Sequence, residues 1–231
     1  MNTWTRPKPK KDLNIFAMNT KNTKLEGFAK QFLPDELVLG YILLARDPLF
    51  RRMSQEMRFK IIKCATLIGK IVARNIWKEL GTKDPVMLAK KLGIKIVISD
   101  EEYIMGSAIQ FSEYWHNHST IIVYEKFIWE LAKWLNRGNL AHPIVVEDLR
   151  SACVAHELFH FIEETRVGSL REKFKICTLA IGPIRIKSGV MTASELAAHA
   201  FTKELLSMKF SPILIDYLVS LIHPEIMRIN H

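Results

Sequence analysis

The segment Ser151-Ala-Cys-Val-Ala-His-Glu-Leu-Phe-His-Phe-Ile-Glu-Glu164 sets two histidines, His156 and His160, four residues apart. They lie on the apolar stripe of a helix that the periodicity extends from Pro143 to about Thr165. Four residues are about 400° of turn and about 6 Å of rise, so both imidazoles project from one face. Leu149 and Cys153 share that face, which turns the histidines inward. Two neutral imidazoles buried one turn apart are costly without a partner, and a shared cation removes the cost. The fold must therefore carry at least one more ligand to this face from elsewhere in the chain.

Two imidazoles so placed suit a tetrahedral zinc, with nitrogens about 2.0–2.1 Å from the ion. Glu157 lies about 100° round the helix from His156, so its carboxylate points beside such an ion, where it can act as a base. The third ligand is sought in Thr192-Ala-Ser-Glu-Leu-Ala-Ala-His199. Glu195 is an acidic residue in an otherwise small and apolar helix. Thr192-x-x-Glu195 also reads as a capping box, in which Glu195 only satisfies the helix start. His199, one turn on and on the same face, is an alternative ligand, a supporting group or a hydrogen-bond donor to a transition state.

The rest of the chain predicts helices over Pro34–Arg46, Ser54–Leu80 and, with Asp84 as cap and Pro85 in the first turn, up to Gly93. The stripe of the long helix reads Met57, Ile61, Cys64, Leu67, Ile68, Ile71 and Ile76. Strands are expected at Ile94–Ser99, Ser107–Tyr114 and Thr120–Tyr124, with Tyr114-Trp-His-Asn-His118 as a polar turn. An aromatic-rich helix follows at Glu125–Asn136. Residues 166–191 read as irregular, with a hairpin around Gly182-Pro183 and Gly189. Helices return at Thr192–Met208 and Pro212–Ile222. Helices, a small three-stranded sheet and helices again make an α+β fold.

With 48% hydrophobic and 25% charged residues, the 231-residue chain is neither disordered nor a rod, and the length suits one domain with an appendage. The net charge of +9 is uneven. Residues 1–24 carry six Lys and Arg against Asp12 alone, which marks residues 1–30 as a basic flexible tail and 31–231 as the folded domain. The body is only mildly basic, so direct nucleic-acid binding is not expected. Cys64, Cys153 and Cys177 are odd in number and widely spaced, which fits a reducing, cytoplasmic setting better than a disulfide framework. The longest apolar stretch, Leu37–Ala45, is far short of the roughly 20 residues a bilayer requires, so no membrane partner is expected.

Taken in order, several pieces resemble the ImmA/IrrE family of zinc metallopeptidases, which are gluzincins. These are Asp84-Pro-Val-Met-Leu-Ala-Lys-Lys-Leu-Gly93 running into a first strand, Thr120-Ile-Ile-Val-Tyr124, Ala155-His-Glu-Leu-Phe-His160, and Glu195-Leu-Ala-Ala-His-Ala-Phe-Thr-Lys-Glu-Leu-Leu206. The resemblance covers roughly residues 60–210. It implies a mainly helical zincin-like fold with the small sheet beside the His-Glu-x-x-His helix, His156, His160 and Glu195 as zinc ligands, and Glu157 as base. It also implies an endopeptidase of regulatory type acting on a protein or peptide, with a separate helix-turn-helix repressor as partner. Relative to the family, Glu125–His142 is an insertion and Phe159 stands where many members carry Gly. For the oxyanion such a reaction generates, the donors within reach of the pattern are His199, Tyr103, Tyr114, His116 and His118. If Ser107–Tyr124 forms the sheet edge facing the cleft, a substrate can add to it as a strand. The alternative is a non-catalytic, zinc-binding regulatory or partner-binding protein on the same scaffold.

Overall fold

The computed structural model describes residues 35–101, 104–105, 108–136 and 145–222. The basic tail, Tyr103, Ser107 and Pro143 lie outside the described residues.

Helix α1 (Glu36–Leu44) starts at Asp35, whose carboxylate accepts from the Leu37 amide. Helix α2 (Gln55–Leu80) runs from Ser54, which caps the Met57 amide, to Gly81 in the left-handed region. Asp84 caps α3 (Pro85–Lys91), with Pro85 in the first turn as expected. Strand β1 (Lys95–Ser99) follows, then the short antiparallel pair β2 (Ile104–Met105) and β3 (Ala108–Ile109), then β4 (Ser112–Trp115) and β5 (Thr120–Tyr124). The next elements are α4 (Glu125–Leu135) and α5 (Val146–Ile162), which carries His156-Glu-x-x-His160. Beyond it come a π-helical turn (Glu163–Val167), α6 (Leu170–Lys173), the hairpin β6 (Lys175–Ile181) and β7 (Ile184–Gly189), α7 (Thr192–Leu205) and α8 (Ile213–Ile222). The result is α+β and mainly helical, with a small three-stranded mixed sheet packed on α5.

That sheet has the order β1-β5-β4. Strand β5 is central and wholly buried, parallel to β1 and antiparallel to β4, with Ser112 opposite Val123 and Trp115 opposite Thr120. The polar turn between β4 and β5 is a 3-10 turn at His116–His118, closed by Ser119 at φ 43°. The expected single strand over Ser107–Tyr114 is broken. Ala108–Ile109 pairs instead with Ile104–Met105, and at the start of β4 the Gln110 side-chain amide donates to the Ser112 carbonyl at 2.6 Å. Only Ser112–Trp115 joins the sheet. Residues 166–191 are more regular than expected, because most of the segment closes on itself as the β6–β7 hairpin, turning at Gly182 with φ 56°.

The core is one large cluster, in which α2 and α7 pack against each other more extensively than any other helix pair, with a smaller one of Ile122, Tyr124 and Phe127 beside the sheet. The buried face of α2 differs from the expected stripe. It is built from Ile61, Ile62, Ala65, Gly69, Ala73 and Ile76, while Leu67 and Ile71 are exposed. The reason is backbone proximity: a Cβ at Gly69 would stand 2.1 Å from the Ala197 carbonyl oxygen. Small residues allow that approach, and a reading that follows bulky side chains passes over them. Phe159 is fully buried and tilted against Phe201 of α7, with ring centroids 5.6 Å apart. It therefore packs α5 on α7, the two helices that bear the candidate ligands.

Candidate metal centre

Helices α5 and α7 each present two polar groups one turn apart to their common interface. On α5 these are His156 and His160, and on α7 Glu195 and His199. His156 Nε2 stands 3.1 Å from Glu195 Oε2 and 3.2 Å from His160 Nε2, and His160 Nε2 is 3.5 Å from Glu195 Oε1. Donor atoms about 2.0–2.1 Å from a tetrahedral ion are about 3.3–3.4 Å apart, and the three separations, which reach Glu195 through Oε2 from His156 and through Oε1 from His160, are close to that. The imidazoles are about four-fifths buried, partly open to solvent rather than in the sealed core that the stripe suggested. His199 also offers a nitrogen, within 4.8 Å of ligand atoms of His156 and Glu195. A His/Glu/His group able to hold a metal ion is thus present. Of the two sets that share His156 and Glu195, the one completed by His160 is tight at all three edges, whereas His199 Nε2 is taken by Asp216 Oδ2 at 3.0 Å.

Glu195 is free to face the histidines because it does not cap its helix. The start of α7 is held from a distance: Asp47 Oδ2, buried in the loop after α1, accepts from both the amide and the hydroxyl of Thr192 at 3.0 Å. Its other oxygen accepts from the Leu49 amide. The capping box legible in Thr192-x-x-Glu195 is therefore not formed.

A second carboxylate orients His160. His160 Nδ1 lies 3.2 Å from Ser194 Oγ and 3.6 Å from Glu163 Oε2, and the Ser194 hydroxyl donates to that same Glu163 oxygen. Glu163 also accepts from the Leu170 amide at 2.7 Å. Burial alone would raise the Glu163 carboxyl; its bonds to His160, Ser194 and Leu170 outweigh that and hold it below its ordinary value. A proton on Nδ1 facing this acceptor leaves the Nε2 lone pair for a metal. The sequence reading missed Glu163 and Ser194. The spacing His160-x-x-Glu163 could have revealed the first, since residues three apart share a helix face.

His156 Nε2, the His160 Nε2 lone pair and the Glu195 carboxylate make an electron-rich pocket that calls for a cation. Burial would lower the His156 imidazole; the hydrogen bond and charge of Glu195, with Glu157 and Asp216 beyond, reverse this and bring it up to about 9. Reciprocally, burial would raise Glu195, but His156, His160 and His199 hold it well below the usual carboxylate range. In the metal-stripped chain, His156 therefore carries a proton at neutral pH. Zinc titrated into that chain at pH 7 should release about one proton per ion, and the release should decline as the pH approaches and passes 9. Calorimetry in buffers of different ionisation enthalpy measures it; no release at pH 7 would contradict the arrangement.

Glu157 is nearly buried and accepts a 2.8 Å hydrogen bond from the Ser112 hydroxyl on β4. The edge strand and Glu157 are thus joined directly. Burial, with the Glu157 charge next in importance, pushes the neighbouring Cys153 thiol up to about 12, and Cys153 packs against the core. Among the oxyanion candidates, His116 pairs with Glu164 at 2.7 Å on an exposed surface, and His118 is exposed beside Trp115. Tyr114 packs edge-on to Phe161 and hydrogen-bonds Ser119. His199 adjoins the ligand cluster, its ring centroid 4.7 Å from that of His156.

No protein-family model matches the chain, and searches of curated proteins and of solved structures likewise return no match. Among the described residues, no helix is long and apolar enough to cross a membrane.

Proposed function

We propose that the chain is a cytoplasmic zinc-dependent endopeptidase of the ImmA/IrrE type that cleaves a protein partner, with a separate helix-turn-helix repressor as the partner class the resemblance implies. The observation that carries this reading is the spacing of 3.1, 3.2 and 3.5 Å among the ligand atoms of His156, His160 and Glu195. His156, His160 and Glu195 would hold the ion. Zinc bound by such a set acidifies a water and polarises the carbonyl to be attacked. Glu157 accepts the water proton and returns it to the leaving nitrogen, a two-way transfer that suits a carboxylate held at one oxygen by Ser112. Glu163 and Ser194 fix the His160 ring so that Nε2 faces the ion. Strand β4, at the sheet edge nearest Glu157, offers the outer backbone groups of Tyr114 to an extended peptide, the Ser112 carbonyl being taken by Gln110.

The direct test is incubation of the zinc-loaded chain with a peptide library, followed by mass spectrometry. Internal cleavage that stops on chelation and resumes with zinc supports the proposal. Zinc binding without cleavage of any library member, or of any protein captured from the native host, favours the partner-binding scaffold instead.

A further inference from the structure

Each of the two helices that meet at the metal centre contributes an i, i+4 pair, yet the ligand set assigned above uses only three of the four side chains. The fourth, His199, is among the most enclosed polar residues described, with only 4% of its surface exposed. Its Nε2 is 3.0 Å from Asp216 Oδ2 on α8, which fixes the proton on Nε2 and leaves a lone pair on Nδ1. That Nδ1 is buried and has no hydrogen-bond partner. Buried polar atoms are nearly always satisfied, so an orphan beside an electron-rich cluster points to a missing cation or water. Water is the poorer fit: Nδ1 has under 1 Å² of surface open to it, whereas an ion approaches a nitrogen to about 2.0–2.1 Å, well inside the about 2.8 Å of a water.

We propose that His199 is a fourth protein ligand, bound through Nδ1 with Asp216 as its supporting carboxylate, that closes the metal site in the resting chain and must be displaced when a substrate carbonyl arrives. This rests on the reading of His156, His160 and Glu195 as ligands. One ring nitrogen of His199 already lies within 4.8 Å of a ligand atom of His156 and of Glu195. Drawing them in to the about 3.4 Å of a tetrahedral set is a shift that side-chain torsions supply. Asp216–His199 then mirrors Glu163–His160, one carboxylate behind an imidazole at either end of the cluster. Sites closed by four protein groups hold their ion without an open position, so His199 acts as a latch on the chemistry.

The test is zinc K-edge absorption together with chelator-competition titration of the full chain, its His199→Ala variant and its Asp216→Asn variant. The expected results are a three-imidazole signature for the unaltered chain and a two-imidazole signature for His199→Ala, with affinity lowered by at least about 100-fold. Asp216→Asn, which keeps the side-chain shape, should lose about 10–100-fold. Two imidazoles in the unaltered chain, or His199→Ala binding at full affinity, would overturn the latch while leaving the three-ligand site intact. Failure of the unaltered chain to bind zinc at all would overturn the three-ligand reading, and the latch with it.

Discussion

Glu157→Gln should retain about one equivalent of zinc and lose peptide cleavage by about 10²–10⁴-fold or more. The substitution is nearly isosteric, and the amide oxygen can still accept from Ser112, so the local packing is kept. It also exchanges a nearly buried carboxylate for a neutral group, which removes a desolvation cost, so the melting temperature should not fall. What is lost is the capacity to take a proton from water and return it to nitrogen. Single-turnover cleavage alongside zinc content separates the roles. A Gln variant that cleaves at full rate would remove Glu157 as base, and one that loses its zinc would make Glu157 part of the metal site instead.

Among the glycine-to-alanine changes at described positions, Gly69→Ala should have the largest effect on stability. The added carbon would meet backbone, the Ala197 carbonyl oxygen at 2.1 Å and the Phe201 amide nitrogen at 2.9 Å, and backbone does not yield as a flexible side chain does. Overpacking of this kind costs about 1–3 kcal/mol and occasionally more, which in a domain of this size is several degrees of melting temperature. Helix α7, which carries Glu195, must shift to make room, so zinc affinity should fall in parallel. Gly81→Ala is the control. Gly81 has φ 71° and nothing within 4 Å of an added Cβ, so that change strains the backbone by about 1–2 kcal/mol without touching α7. Equal zinc affinity for Gly69→Ala and the unaltered chain would mean that the α2–α7 contact does not position the site.

The parts of this site that were legible in the sequence are those set by helical period. His156 and His160, and likewise Glu195 and His199, recur at four residues, and a helix converts that spacing into a shared face without help from the rest of the fold. The ends of the helices were legible where the cap is local, as at Asp84-Pro85 and Ser54. What escaped depends on residues far apart in the chain. Asp47 takes over the start of α7 across 145 positions, so the local Thr192-x-x-Glu195 box, chemically sound in isolation, loses its partner. Gly69 and Ala73 outrank Leu67 and Ile71 at the core because another helix backbone lies against them. The strand expected over Ser107–Tyr114 is divided, Ala108–Ile109 pairing with Ile104–Met105 and Ser112–Trp115 with β5, a choice of partner that local alternation does not encode.

Zinc titration against a competing chelator, on the unaltered chain and on Glu195→Ala, tests most directly whether two imidazoles and one carboxylate share an ion. One tightly bound zinc per chain, weakened at least about 100-fold by Glu195→Ala with the helical content unchanged, is the expected result, since Glu195 makes no capping contact that its removal could disturb. Full-affinity zinc binding by Glu195→Ala would contradict it.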